Sequence, residues 1–146
     1  MKKVAVINCG AEKRHNASRA KDLYTGSLFV ASRKYVESQY DEYIILSAKY
    51  HMCLPDDLLI PYELYLGDLS KEDKEAWVNE TFSEITQQFD LDTEFDFYTS
   101  KMYQEELVPL LRNYGYTCET YLNNLGIGSK IQWFNQHTKK KIKKLF

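Results

Sequence analysis

The first residues suited to chemistry follow an apolar run at positions 4–7. Asn8, Cys9 and Gly10 leave that run, and Lys13 comes shortly after. A turn of small residues lets backbone N–H groups approach an anion or a base edge, and Lys13 would add a point charge. The alternative is a plain strand-to-helix turn, because neither a Walker ending nor a Rossmann fingerprint is present. Cys9 is a candidate nucleophile, although a buried inert thiol is the commoner role when no histidine is placed beside it.

A second and longer polar segment follows the apolar run at positions 43–46. Asp56 and Glu63 offer carboxylates for acid–base work or for stabilising the oxocarbenium-like state of glycosidic cleavage. Tyr50 and Tyr62 could stack on a base, and Lys49 could hold a phosphate. A capped, proline-stiffened surface loop is the alternative interpretation. The candidate site residues of this segment are Ser47, Lys49, Tyr50, His51, Asp56, Tyr62 and Glu63.

A third segment, at positions 125–128, carries Gly126 and Gly128 ahead of a helical stretch. Two glycines free the backbone and expose helix N-terminal amides, which bind anions readily, although a simple tight turn fits equally well. The three histidines are scattered and the three cysteines contain no CxxC pair. We therefore expect no metal site, no disulfide framework and no cofactor.

The composition predicts a globular protein and disfavours a coat for long duplexes. The net charge is −2, whereas most duplex binders are basic along one face. The twelve tyrosines suit half-buried positions or base stacking. A lysine run near the C-terminus is either a phosphate contact or a solvated helix end. It consists of Lys139, Lys140, Lys141, Lys143 and Lys144.

The lack of a recognisable targeting segment predicts a cytoplasmic protein. Residues 1–3 lead straight into a strand-like run, so we expect no signal peptide. No apolar stretch approaches membrane-spanning length, which predicts no membrane partner. The unpaired cysteine pattern fits a reducing compartment.

The order of elements predicts one α/β domain over residues 1–146. Strands are expected at positions 4–7, 43–46, 95–98 and 116–121. Helices are expected over 17–39 with a break near Gly26, from Ser70 onward, over 105–113, and after position 128 with Ile131, Trp133, Phe134 and Ile142 on its apolar face. Positions 51–67 hold Pro55 and Pro61 and are expected to form a long functional loop. Such alternation predicts a parallel sheet covered on both faces, with ligands beyond the carboxyl ends of its strands.

Four segments resemble small bacterial, archaeal and phage domains with a uracil-DNA-glycosylase-like fold. They are the Cys-Gly-x-x-Lys loop of residues 9–13, the Leu-Tyr-Thr-Gly segment of residues 23–26 with Phe29, the Leu-Ser-Ala-Lys-Tyr segment of residues 46–50 with Pro61 and Tyr62, and the Leu-Gly-Ile-Gly turn with Trp133. Trp77 also matches the helix of that family. The Ser-Ala-Lys-Tyr segment is weakly similar to peroxide-stress DNA-binding proteins as well.

The resemblance implies a three-layer α/β/α fold with a four-stranded parallel sheet in the order 2-1-3-4. It implies a pocket for a nucleobase or nucleotide, with Tyr24 among the stacking tyrosines. The family usually has glycine where this chain has His51, which would narrow the pocket or add a titratable group. The acidic water-activating residue of established glycosylases is not matched. Asn8 stands nearby and could orient a water but not deprotonate it.

Two functional classes follow from these residues and this resemblance. One is an enzyme acting on an N-glycosidic bond of a nucleotide or nucleic acid, with Asp56, Glu63 and Asn8 as candidate catalytic residues. The other is a non-catalytic module that binds a nucleotide, nucleobase or single-stranded nucleic acid in a modification or defence system. Related domains occur beside enzymes that exchange or modify bases, so such an enzyme is a candidate partner.

Overall fold

The computed structural model describes residues 2–139. Most of the lysine run, Lys140, Lys141, Lys143 and Lys144, and the predicted apolar residue Ile142 lie outside the described residues. Within them the strands are β1 (Lys2–Asn8), β2 (Ser18–Arg19), β3 (Tyr43–Ser47), β4 (His51–Cys53), β5 (Leu58–Leu59), β6 (Thr93–Phe97) and β7 (Thr117–Thr120). The helices are α1 (Ala20–Leu23), α2 (Ser27–Gln39), α3 (Lys71–Gln88), α4 (Lys101–Gln104), α5 (Leu107–Tyr114) and α6 (Ile127–His137), with a 3₁₀ turn at Leu66–Asp68.

The main sheet has five strands in the order β4-β3-β1-β6-β7. The last four of these run parallel, and β4 pairs antiparallel with the edge of β3. The apolar middles of β1 and β3 are buried on both faces, as expected for central strands of a covered parallel sheet. The predicted count of four strands is wrong, because the chain turns back after β3 and adds β4.

The long loop predicted over positions 51–67 is also wrong in part. β4 occupies its start, and β5 pairs with β2 in a small second sheet. The 3₁₀ turn at Leu66–Asp68 overlaps the end of the predicted loop. These elements are two or three residues long, so none spans enough sequence to show a period.

Helices cover the two faces of the sheet. The connection from β1 to β3 runs through α2 toward one edge, and the connection from β3 to β6 runs back through α3. Right-handed crossovers in opposite directions place these two helices on opposite faces. α6 packs against α2, and α5 packs against α3, which gives three layers.

The helix ends follow local signals in the sequence. The predicted break near Gly26 is confirmed, because α1 and α2 are separated by residues 24–26. The Ser70 side chain accepts a hydrogen bond from the Asp73 amide at 3.0 Å and caps α3. Gly115 ends α5 with a φ of +124°, a conformation that favours glycine. No helix within residues 2–139 combines the length and apolar character needed to cross a membrane.

The sheet contains one topological switch point. The chain leaves β1 toward β3 on one side and leaves β6 toward β7 on the other side. In open α/β sheets a crevice forms beyond the carboxyl ends of two such neighbours. A ligand site is therefore expected after Asn8 and Phe97, the last residues of β1 and β6.

Candidate functional site

A cleft of about 530 Å³ opens at this switch point. Its size falls in the range of small-molecule sites, roughly 300–1,000 Å³. Three segments form its walls: the loop after β1, the turn after β6, and the segment around the 3₁₀ turn. The lining residues are Asn8, Cys9, Gly10, Ala11, Lys13, Glu63, Leu64, Tyr65, Asp68, Ser100, Met102 and Tyr103.

Asn8 ties the two strand ends together at the floor of the cleft. Its Nδ2 donates to the carbonyl of Cys9 at 2.9 Å, and its Oδ1 accepts from the backbone N–H of Ser100 at 2.9 Å. Both ends of the amide are therefore committed to backbone groups. Asn8 lies in the cleft as predicted, but these contacts indicate that it shapes the floor.

Cys9 is half-buried and its thiol lies 3.1 Å from the Tyr103 hydroxyl. Burial, with the nearby Cys9 as a further cause, raises the pKa of Tyr103 above its ordinary value. Tyr103 therefore stays protonated and can donate to the sulfur. The remaining cysteines, Cys53 and Cys118, are buried free thiols, and burial raises the pKa of each to about 12.

Lys13 brings positive charge to one wall of the cleft. Its Nζ donates to the carbonyl of Ala11 at 3.1 Å and lies 4.5 Å from the centre of the Tyr62 ring. Within residues 2–139 no carboxylate forms an ion pair with it. The ammonium is held in place and its charge is not neutralised, which suits an anionic ligand.

A small side pocket of about 70 Å³ adjoins the cleft on the other side of the same loop. Asn8, Cys9, Gly10 and Ser100 line both spaces, and Lys130 of α6 lines the side pocket alone. Burial, together with the neighbouring charge of Lys101, lowers the pKa of Lys130. Neither Lys13 nor Lys130 forms an ion pair in the described part of the chain.

The wall formed by residues 63–68 is acidic and aromatic. Glu63 and Asp68 line it with exposed side chains. Tyr65 is 58% exposed and Leu64 38% exposed, although both are large and apolar. The cleft therefore carries one ammonium group, from Lys13, two carboxylates, and an accessible aromatic ring.

The turn at positions 47–50 is built around Ser47, whose polar groups are bonded within the protein. Ser47 is fully buried, and its Oγ lies 2.8 Å from the Tyr62 hydroxyl. The same oxygen accepts from the backbone N–H groups of Lys49 and Tyr50 at 3.3 and 3.0 Å. The carbonyl of Ser47 accepts from Trp77 Nε1 at 2.9 Å. These bonds use the polar groups of Ser47 internally.

The predicted stacking tyrosines are part of the same buried network. The hydroxyls of Tyr24 and Tyr62 are 2.8 Å apart, and both residues are buried. Burial raises the pKa of both above the ordinary tyrosine value. Tyr50 is half-buried and donates to the carbonyl of Ile60 at 2.9 Å. None of the three lines the cleft, so they are poor platforms for a base.

Several other predicted site residues lie outside the cleft. Lys49 is exposed, with its Nζ 5.5 Å from the centre of the Tyr50 ring. Asp56 pairs with Lys21 at 3.2 Å and Arg19 at 3.3 Å, and these cations lower its pKa. Neither Lys49 nor Asp56 lines the cleft, and the phosphate-binding and catalytic roles expected of them stay predictions.

Gly126 and Gly128 also lie away from both pockets. They are exposed at the start of α6, and a Cβ at either would meet no atom within 4 Å. Neither glycine is required by a close approach. The residue of this helix that reaches the side pocket is Lys130, two positions further on.

His51 opens β4 with a φ of +63°, the left-handed region. This is the position at which the family of the resemblance usually has glycine, the residue that adopts such a φ without steric cost. The ring Nδ1 lies 3.5 Å from Oε2 of Glu84 on α3. Burial lowers the pKa of His51 and raises the pKa of Glu84. His51 faces this helix and does not line the cleft.

The sequence analysis missed the turn after β6 and the side-pocket lysine. Ser100, Met102 and Tyr103 follow an apolar run just as Asn8 does, so the same signal could have found them. Asp68 and Tyr65 had no signal beyond their proximity to Glu63. Lys130 had none, because only the packing of α6 against α2 brings it to the loop after β1.

Two comparisons place the chain among other proteins. It is 35% identical over 65 residues to the uncharacterised protein YfjM of Bacillus subtilis (strain 168). That match covers 40% of this chain and 43% of YfjM, so the chain spans less than half the length of this relative. Residues 4–136, which include every wall of the cleft, match a family described as being of unknown function. The chain belongs to this family, DUF6884.

Proposed function

We propose that the cleft at the switch point binds a nucleotide or the end of a single-stranded nucleic acid. The observation that carries this proposal is the positive charge of Lys13 and Lys130 on both sides of the loop after β1, which no carboxylate of residues 2–139 pairs with. The family is described as being of unknown function, and the charges of the site support an anionic ligand.

The phosphate end is assigned to the side pocket. Lys130 is partly buried, and burying an ammonium without a partner costs free energy, as its lowered pKa reflects. A phosphate beside Lys130 and Lys101 would remove that cost, with the Ser100 hydroxyl as a further donor. The wall of the main cleft that carries Glu63 and Asp68 would repel a phosphate.

The base and sugar are assigned to the main cleft. Tyr65 offers an accessible ring, and aromatic rings stack on bases with little dependence on sequence. Leu64 and Met102 add apolar surface beside it. The overall charge of −2 favours such a small or single-stranded ligand over a long duplex.

A direct test is calorimetric titration of the intact chain with mononucleotides and a short single-stranded oligonucleotide. Lys130→Ala should weaken binding about ten- to a hundredfold, since a charge-assisted contact contributes roughly 1.5–3 kcal/mol. Lys34→Ala is the matched control, because Lys34 is an exposed lysine of α2 that lines neither pocket. Equal affinity of both folded variants and the wild type would contradict the proposal.

A second candidate function is hydrolysis of the N-glycosidic bond of that nucleotide. The presence of Glu63 and Asp68 on the wall facing the sugar favours it, since carboxylates stabilise an oxocarbenium-like transition state. Water would add to C1′ as the C1′–N bond breaks, and the base would leave with a proton. The resemblance to uracil-DNA-glycosylase-like domains supports the same reaction class.

Chromatography of free base after incubation with nucleotides and single-stranded DNA tests this second function. Glu63→Gln and Asp68→Asn should reduce base release by at least about tenfold while nucleotide affinity is retained. Asp56→Asn is the control, because Asp56 pairs with surface cations outside the cleft. Binding without release of base in the wild type would leave a binding module and exclude the hydrolase.

A further inference from the structure

We propose that His51, Glu80 and Glu84 form a binding site for a divalent transition metal ion such as Zn²⁺. One ligand atom from each residue lies within 4.8 Å of the other two. The group joins the start of β4 to α3, and none of its members lines the nucleotide cleft. The site is therefore independent of the proposed nucleotide function.

The two glutamates are placed as a pair by the helix. Glu80 and Glu84 are four residues apart on α3, so their carboxylates project from the same face. Like charges at this spacing repel each other, which disfavours the helix unless a cation lies between them. Among the described residues, no lysine or arginine pairs with either glutamate, and the basic side chain beside them is the His51 ring.

His51 completes the group from a different element. A left-handed φ is uncommon for residues with a side chain, and histidine is one of those that tolerate it. The Glu84 carboxylate also accepts the backbone N–H of Met52 through Oε1 at 3.0 Å, which leaves Oε2 toward the His51 ring. A second contact of this kind fixes the orientation of a metal ligand.

The donor set selects the class of metal. One imidazole nitrogen with two carboxylates suits Zn²⁺ and similar ions, whereas Mg²⁺ and Ca²⁺ prefer oxygen ligands alone. Tetrahedral ligands at about 2.0–2.2 Å from zinc lie about 3.4 Å from each other, so small side-chain rotations would close the group. Three protein ligands leave a position for water.

The test is calorimetric titration of the metal-stripped chain with Zn²⁺, and absorption spectroscopy with Co²⁺, under reducing conditions. His51→Gly removes the imidazole and suits the positive φ, so this variant keeps its fold. Glu84→Gln keeps an acceptor for the Met52 amide and removes the charge. Each should weaken Zn²⁺ binding at least about tenfold and abolish the spectrum of tetrahedral Co²⁺. His15→Ala, at an exposed histidine outside the group, is the control and should bind as the wild type does.

Three outcomes would overturn the proposal. The first is the absence of stoichiometric Zn²⁺ binding by the wild-type chain. The second is binding that His51→Gly and Glu84→Gln leave unchanged. The third is binding that is lost in Cys9→Ser but kept in His51→Gly, which would assign the metal to the cleft thiol. Because nucleotide affinity is measured separately, failure here leaves the cleft proposal standing.

Discussion

The turn at positions 47–50 and the loop at positions 8–10 follow neighbouring strands of the same sheet, yet they have opposite characters. In the turn, Ser47 is fully buried and its hydroxyl and carbonyl are bonded to protein groups. The loop is half-buried, borders two pockets, and is flanked by the ammonium groups of Lys13 and Lys130, which form no ion pair within residues 2–139. The turn carried the more specific sequence motif, whereas the loop lines the cleft in which we propose that a ligand binds.

The difference teaches that a specific sequence motif can be required for packing rather than for ligand binding. The Ser47 hydroxyl contacts the Tyr62 hydroxyl and two backbone amides, so few other side chains can replace it without leaving a buried polar group unsatisfied. A binding loop needs free donors and space, which many small residues provide. The following predictions test whether the turn stabilises the fold while the loop binds.

The largest expected effect is that of Trp77→Ala on stability. Trp77 is 3% exposed, bonds the Ser47 carbonyl and packs edge-on against Tyr103 with ring centres 5.5 Å apart. Its removal should lower the free energy of unfolding by about 3–5 kcal/mol. Urea unfolding measures the change. A loss below about 1 kcal/mol would show that the turn is not a structural anchor.

Ser47→Ala should have a smaller effect of the same kind. The substitution removes the Ser47 Oγ, to which the buried Tyr62 hydroxyl and two backbone amides are hydrogen-bonded. The loss of these bonds should lower the free energy of unfolding by about 1–3 kcal/mol. Nucleotide affinity of the folded variant should remain that of the wild type. Ser27→Ala, at an exposed serine of α2, is the control and should change neither quantity. Lost affinity with retained stability would transfer the turn to the binding site.

Asp96 on β6 is a buried carboxyl group outside both regions, and it should make the stability of the protein depend on pH. Its Oδ1 has no hydrogen-bond partner in the described structure, its Oδ2 accepts from Tyr40 at 2.7 Å, and burial raises its pKa. The folded state therefore binds its proton more tightly than the unfolded state does. This contribution is present below the unfolded pKa, about 3.9, and is lost as the pH rises through the folded pKa.

Asp96→Asn should remove this loss. The free energy of unfolding of the variant minus that of the wild type should be larger at pH 7 than at pH 4. Urea unfolding of both proteins at both pH values measures this difference. A stability difference that is the same at the two pH values would show that Asp96 does not titrate differently on folding.

The smallest expected effect is that of Lys49→Ala. Lys49 is exposed and lies over the Tyr50 ring, outside both pockets. Nucleotide affinity should change by less than about twofold and stability by less than about 0.5 kcal/mol. Calorimetric titration beside Lys130→Ala makes the comparison direct. A tenfold loss for Lys49→Ala would break the distinction between the two regions.

Local patterns predicted most of the fold. The apolar runs that became β1 and β3, the break before α2, the Ser70 cap and the Gly115 end all depend on neighbouring residues, so the chain shows them directly. β4 and β5 were not predicted. Short edge strands depend on the strand they pair with, and that pairing is tertiary.

The candidate site was predictable only where it follows a strand. The cleft is lined by four residues at or after the carboxyl end of a central strand: Asn8, Cys9, Gly10 and Lys13. Glu63 lines the same cleft from the segment before the 3₁₀ turn. Types and spacing alone could not separate Glu63 from Asp56, since both are acidic and both lie in the same segment. The cations beside Asp56 become its partners only when β5 pairs with β2.

The sequence by itself determined the central parallel strands and the long helices, because periodicity and caps are local properties. Tertiary structure decided which polar groups are used internally and which remain free. It closed the motif at positions 47–50 around Ser47 and brought Lys130 of α6 to the loop after β1. It also set His51 against α3. Such contacts join residues far apart in the chain, and no pattern within a short segment encodes them.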